Sequence, residues 1–308
     1  MWRSKDSKIL IIIIYLLLTG ITSQAQYHPQ YSQYMFNGLA LNPAYAGSQE
    51  ALSLAVLHRT SQWGNSVEGA PATQTFSGDF SLRNPQLALG LMIFNDKIGP
   101  FGQSGAYFAY AYRVITDKGK LSFGLQAGFD YHHENYQDLF LAHPEDPLFT
   151  KNMQNSFMPN AGAGVYFFTP KYFAGLSLPH ILTYSWNKGN APKGKPGFSN
   201  AMLYGGMVFE SGEILKIKPS TLLQNAGKSF LFDLNCNFAL FDDKFELGVS
   251  WRSNGTLVAM SQFRINTFCL GYAYDFPIGK PNAINTSHEI MLRYDFKIKI
   301  KATSPLLL

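Results

Sequence analysis

From about residue 50 to residue 296 the chain repeats one pattern, short segments in which apolar and polar residues alternate, separated by turns of differing length. In residues 120–132, Leu121, Phe123, Leu125, Ala127, Phe129 and Tyr131 interleave with Lys120, Ser122, Gly124, Gln126, Gly128, Asp130 and His132. A side-chain period of two belongs to a β-strand with one apolar and one wet face. Such a face is hidden either against a second sheet or against lipid. Where the chain travels in the cell decides between them.

Arg3, Lys5 and Lys8 precede the apolar run Ile9 to Leu18, and Ser23-Gln24-Ala25 places small residues where a signal peptidase reads. Residues 1–25 therefore read as a secretory signal peptide with cleavage after Ala25. The apolar run is too short for a helix that must cross a bilayer core with ~20 residues. No cysteine lies near the cleavage site, which excludes lipoprotein processing, and no later run suits a membrane helix.

Composition favours strands: the chain has 25 Phe, 17 Tyr and 27 Gly, and 15% charged residues against about 25% in an average soluble domain. Aromatics suit strands and membrane interfaces. The net charge of +5 lies partly in the signal peptide and in Lys297, Lys299 and Lys301, so it points to no nucleic-acid partner. Cys236 falls on the apolar register of its segment and Cys269 on the polar register of its own, which speaks against a disulfide.

Alternation gives fourteen candidate strands: residues 51–59, 72–82, 86–95, 106–115, 120–132, 158–169, 172–179, 201–209, 214–224, 229–240, 245–251, 256–265, 267–276 and 287–296. Long connections are expected at 60–71, 96–105, 133–157, 180–200 and 277–286. The intervening ones are short, such as Asn84-Pro85, Thr116-Asp117, Pro170-Lys171, Asp242-Asp243 and Asn266. Short turns at one end and long loops at the other are the organisation of an outer-membrane barrel with periplasmic turns and extracellular loops. The expected fold is all-β: one transmembrane antiparallel β-barrel of about 14 strands, residues 51–296.

The lipid face then takes Leu87, Leu89, Leu91 and Ile93, then Phe108, Tyr110 and Tyr112, with Tyr131, Trp251 and Tyr274 in the interfacial girdles. The lumen face takes Thr73, Thr75, Ser77 and Asp79, then Asp233, Asn235 and Asn237, then Glu246, Ser250 and Arg252, and Glu289, Arg293 and Asp295. That lining mixes both charge signs, whereas a selective pore concentrates one sign at its constriction. It fits a filled lumen as well as an aqueous one.

Catalytic and metal signatures are missing from the sequence. His132-His133-Glu134 and His288-Glu289 lack the spacing of a zinc site, and no nucleophile elbow, phosphate loop or dinucleotide fingerprint occurs. No enzymatic activity, metal or cofactor is expected. The outer loops carry apolar residues, and Trp63, Phe140, Leu148, Phe149 and Trp186 are candidate anchors for a partner protein.

Residues 26–50 precede the first strand and do not alternate. Asn42-Pro43 and Ala46-Gly47 are breaker signals, yet the stretch is too aromatic for a disordered leader. It is expected either to fill the barrel mouth or lumen as a short plug or to order as a periplasmic flap.

The run Ser32-Gln33-Tyr34-Met35-Phe36-Asn37, followed by Asn42-Pro43-Ala44-Tyr45-Ala46-Gly47 behind a signal peptide, resembles the opening of the PorP/SprF family of type IX secretion system outer-membrane proteins. Further similarity lies in Arg59 with Gln62-Trp63, in Pro71, Thr73 and Ser77-Gly78-Asp79, and in Asn95-Asp96-Lys97-Ile98-Gly99-Pro100. It continues in Asp146-Pro147 with Phe149 and in the closing Ser287-His288-Glu289-Ile290-Met291-Leu292-Arg293-Tyr294.

The resemblance implies an outer-membrane barrel of Bacteroidota paired with a secreted protein that carries a C-terminal sorting domain, often a large adhesin of the kind used in gliding motility. The barrel would assist its export or hold it at the cell surface, with other type IX components and outer-membrane lipid as further partners. No catalytic residues carry over. Gln33, Tyr34, Met35, Phe36, Asn37, Asn42, Pro43, Ala44, Tyr45, Gly47, Arg59 and Asp79 carry over as structural or partner-contact candidates. The tail, residues 297–308, departs from the family by running past the aromatic strand end. The rival reading is a porin or substrate-specific diffusion channel.

Overall fold

A computed structural model describes residues 30–49, 51–61, 69–134, 155–185, 193–198, 200–212, 214–226, 229–278 and 286–296. The strands among them are β1 (Leu52–Thr60), β2 (Ala72–Ser81), β3 (Leu87–Ile98), β4 (Phe101–Thr116), β5 (Gly119–Glu134), β6 (Ser156–Phe168) and β7 (Tyr172–Leu178). They continue as β8 (Leu182–Ser185), β9 (Lys193–Pro196), β10 (Met202–Met207), β11 (Phe209–Ser211), β12 (Leu215–Ala226) and β13 (Ser229–Leu240). Last come β14 (Phe245–Arg252), β15 (Thr256–Ile265), β16 (Phe268–Pro277) and β17 (Ser287–Phe296).

Each barrel strand pairs antiparallel with its neighbours in sequence, β1 pairs with β17, and β7 pairs with β10, which pairs with β12. Fourteen strands thus close an antiparallel barrel. Closure gives every barrel strand a neighbour on both sides, the condition for a sheet to sit in lipid where water cannot satisfy backbone groups. The chain is an outer-membrane protein of this class.

The faces follow the two-residue period. Leu91, Ile93, Phe108, Tyr110, Tyr112, Leu234 and Leu292 are exposed outward, while Thr75, Ser77, Asp79, Asn235, Asn237, Glu246 and Arg252 are buried inward. Cys269 is buried on the inner face and Cys236 lies on the outer register, so both are free thiols on opposite sides of the wall.

Two connections differ from expectation. The long loop predicted over residues 96–105 is a two-residue turn, because β3 runs on to Ile98 and β4 begins at Phe101, with Ile98 and Phe101 as the last pair. Gly99 has φ +58 and Pro100 follows, which is the residue order of a tight hairpin turn. Within residues 180–200, the small hairpin β8–β9 forms instead of a plain loop.

The wall is uneven. Strands β4 and β5 have 16 residues each, whereas β7 has 7 and β10 has 6; a tilted strand crosses the hydrocarbon with ~9–11. Two prolines mark the low side: Pro159 lies on β6 beyond the reach of β7, and Pro219 lies on β12 opposite the break between β10 and β11. A residue without an N–H is tolerated in a sheet where a strand edge is locally unpaired. At Pro159 the side chains take over the pairing: Asn160 Nδ2 donates to the Leu182 carbonyl at 2.9 Å and the Leu182 N–H donates back to Asn160 Oδ1 at 2.9 Å.

Candidate functional site

The segment before β1 fills the lumen. Three single-turn 3-10 helices, Tyr34–Phe36, Gly38–Ala40 and Pro43–Tyr45, coil it into a plug. The breaker residues build the last turn: Asn42 Oδ1 accepts from the Ala44 N–H at 2.9 Å, and Pro43 occupies the first helical position, where no N–H is needed.

The plug is oriented. At its end nearest β1, the Gly47 N–H donates to Asp79 Oδ2 at 2.7 Å and Arg113 Nη2 donates to the Ala46 carbonyl at 3.2 Å. Asp79 and Arg113 stand near the short-turn ends of β2 and β4. In the middle, Asn42 Nδ2 donates to the Val165 carbonyl at 3.0 Å, Ser77 Oγ donates to Asn37 Oδ1 at 3.0 Å, and Arg293 Nη1 donates to the Phe36 carbonyl at 3.1 Å. Tyr34 Oη accepts from Asn235 Nδ2.

The other end is held by charge. Glu289 accepts from the Ser32 N–H at 2.8 Å and the Gln33 N–H at 2.7 Å, and Ser32 Oγ donates to Asp275 Oδ1 at 2.6 Å. Arg59 bridges the same groups, with Nη1 2.6 Å from Ser32 Oγ, Nη2 2.7 Å from Asp275 and Nη1 3.3 Å from Glu289. Arg252 pairs with Asp233 at 3.1 Å and reaches Asp275 at 3.5 Å. Three carboxylates against two guanidiniums would leave excess negative charge in a low-dielectric lumen. The N–H groups of Ser32 and Gln33 offset it, so the network is complete only with the plug seated. Arg59, Asp275 and Glu289 lie near the long-loop ends of their strands, and Asp233 and Arg252 near the same rim of the barrel at the ends of β13 and β14, so the plug threads the lumen from the periplasmic end to the outer end.

Packing completes the seal. Tyr31, Tyr34, Leu41 and Ala44 of the plug bury against Leu57, Tyr166, Tyr204 and Leu222 of the wall. Burial pushes the Tyr31 and Tyr34 phenols well above their usual pKa, so they remain neutral hydrogen-bonding groups. Two wall glycines make room: a Cβ at Gly124 would strike the backbone of Pro43 and Ala44, and one at Gly164 would strike the Asn42 side chain. At the outer end a cavity of about 50 Å³ remains, lined among others by Tyr31, Leu41, Met92, Phe94 and Leu222.

The structure brings the family-motif residues together. Gln33, Tyr34, Met35, Phe36, Asn37, Asn42, Pro43, Ala44, Tyr45 and Gly47 form the plug, and Arg59 and Asp79 hold its two ends. The candidate anchors Trp63, Phe140, Leu148, Phe149 and Trp186 lie outside the described residues, as do residues 1–25, expected to be a signal peptide, and the tail, residues 297–308. Sequence reasoning missed the apolar sector inside the lumen. Its trace is a break in alternation, Leu91-Met92-Ile93-Phe94, where both faces become apolar.

The threading makes a labelling prediction. In a cysteine-free background, Gln30→Cys is expected to react with a membrane-impermeant maleimide on intact cells, while Ser48→Cys reacts only after the outer membrane is opened. The opposite pattern would reverse the direction of the plug.

The structure is similar to the Acinetobacter baumannii outer membrane protein Omp33, with 9% identity, TM-score 0.46, and coverage of 80% of this chain and 99% of that one. It is also similar to the Pseudomonas putida toluene transporter TodX, with 9% identity, TM-score 0.44, and coverage of 91% and 96%. At these scores neither likeness bears on function. No curated protein matches the chain. The model of the type IX secretion system membrane protein PorP/SprF matches residues 23–294. That match takes in the plug and the barrel together, and the chain belongs to the PorP/SprF family of type IX secretion system membrane proteins.

Proposed function

We propose that this barrel is a docking platform: it binds the C-terminal sorting domain of a secreted partner, such as a large adhesin, and assists its export or holds it at the cell surface. The supporting observation is the filled lumen, in which residues 31–47 bond to the wall from its periplasmic to its outer end. A diffusion channel needs an open path, and a fixed plug removes it. What remains available to a partner is the outer mouth with its loops, where Trp63, Phe140, Leu148, Phe149 and Trp186 are the proposed apolar anchors. Residues 1–25 are proposed to leave as the signal peptide, so that residues 26–50 are free to enter the barrel.

Deleting the gene is expected to abolish surface retention of the cognate partner and to lower its secretion, read by immunoblot of cell and culture fractions. Unchanged partner levels in both fractions would overturn this reading.

A further inference from the structure

The plug does not fill the lumen completely. At its outer end the cavity of about 50 Å³ stays open between plug and wall. Tyr31, Tyr34 and Leu41 of the plug form its floor, and Met92 and Phe94 of β3 face Leu222 of β12 and Leu231 of β13 across it. Protein interiors leave few voids larger than a water molecule, and an apolar void stays dry. Such a space suits an apolar group that the chain itself does not supply.

The remaining side is the connection from β7 to β10, which turns into the lumen at Pro179 and His180. The Pro179 carbonyl accepts from Gln126 Nε2, an inward side chain of β5, at 2.8 Å, and a Cβ at Gly162 would strike that carbonyl. The His180 ring stands edge-on to Tyr107 with 5.0 Å between centroids. On the return to β10, the Asn225 N–H donates to the Ala201 carbonyl at 2.8 Å and Asn225 Nδ2 donates to the Phe198 carbonyl at 2.9 Å. The walls are therefore set before anything binds, which spares the cost of ordering them.

Access and polarity select the occupant. The plug closes the space from below, and Ser177, Met202, Gln224 and Leu231 pair in turn across β7, β10, β12 and β13, which leaves no gap toward lipid. An entering group must come over the outer mouth. There the half-buried carboxamides of Gln30, Asn200 and Gln224 form the lip. A carboxamide both donates and accepts, which complements a peptide backbone and not a hydrocarbon chain. The charged pair in the lining is already made, Arg252 with Asp233 at 3.1 Å, so an ionised group would enter without a partner. Volume sets the size: ~150 Å³ holds benzene, and about 50 Å³ takes the end of one branched aliphatic side chain.

Resting on the docking function above, we propose that this cavity is a socket for a single leucine or valine side chain on the C-terminal domain of the secreted partner. Because the plug is its floor, the partner grips plug and wall together.

The first test uses the unaltered full-length protein in lipid nanodiscs, labelled with carbon-13 at its methionine methyls, and N-acetyl-leucinamide as probe. The Met92 and Met202 signals are expected to shift with half-saturation on the order of 1 mM, while N-acetyl-glycinamide leaves them in place. Signals that do not move well above that concentration would overturn the socket. So would nuclear Overhauser contact between these methyls and lipid chains, which would assign the space to an acyl end.

The second test is Leu231→Trp in the native membrane, which places an indole in the space. With an unchanged heat-modifiable shift on unboiled gels, partner held at the surface is expected to fall by about tenfold, and Leu231→Met, of similar volume, to retain it. Normal retention in the folded Trp variant overturns the socket and leaves docking intact. Normal retention in the gene deletion overturns docking itself, and with it the partner as the source of the side chain. If the Trp variant loses its shift, the methionine signals of the unaltered protein decide.

Discussion

A chain lacking residues 31–47 is expected to open as a pore in planar bilayers, while the intact protein conducts close to baseline. The wall does not depend on the plug for its backbone pairing, since every barrel strand bonds to two neighbours and the ring closes through β1–β17 and β10–β12. Removing the plug leaves Asp79, Asn235, Asp275, Glu289 and Arg59 facing a cavity that water can enter. Charges that were bonded to plug backbone become hydrated instead, which restores most of what they lost. The apolar sector pays the larger cost, because Leu57, Tyr166, Tyr204 and Leu222 lose their cover. At ~25 cal/mol per Å² of apolar surface returned to water, the deleted barrel should unfold at a lower temperature on semi-native gels. A folded deletion variant that stays electrically silent would mean that some other part of the chain closes the lumen.

Replacing Glu289 by alanine is expected to be the most damaging single substitution in the lumen. Its carboxylate is completely buried and receives the Ser32 N–H, the Gln33 N–H and Arg59. The change strands two backbone donors, each costing ~1–3 kcal/mol when left without a partner in the interior. It also weakens one side of a buried ion-pair network, where loss of a partner costs on the order of 3–5 kcal/mol. Arg59 keeps Asp275, which limits the damage on the charged side. The outer end of the plug should loosen, so the variant should show a lowered unfolding temperature and intermittent conductance while the periplasmic end stays held by Asp79. Gln at this position keeps one acceptor oxygen and should be milder. An alanine variant with wild-type melting and silent recordings would show that this carboxylate does not hold the plug.

The two-residue period made the wall legible because it is a local property. Leu91, Ile93, Phe108 and Tyr110 announce a lipid face within one strand, and all fourteen strands follow from such runs and the turns between them. The misplaced loop at residues 96–105 shows the limit. Alternation weakens where β3 and β4 rise past the lipid, so Asp96, Lys97, Gly102 and Gln103 read as a loop although they are paired. The leader's aromatic content and breaker residues left two placements open, plug or flap, and the residues alone did not choose.

The sequence by itself determined the strand number, the two faces, the inward polar lining and the separation of Cys236 from Cys269, since each depends on neighbours a few residues away. Only the tertiary structure decided what the lining bonds to. Ser32 meets Glu289 across 257 positions and Tyr34 meets Asn235 across 201, and no local period encodes such a pairing. An inward carboxylate satisfied by water and one satisfied by a plug have the same sequence signature. Barrel closure distinguishes them, because it encloses a space too narrow for the leader to fill without displacing that water, and so fixes which donor each buried charge receives.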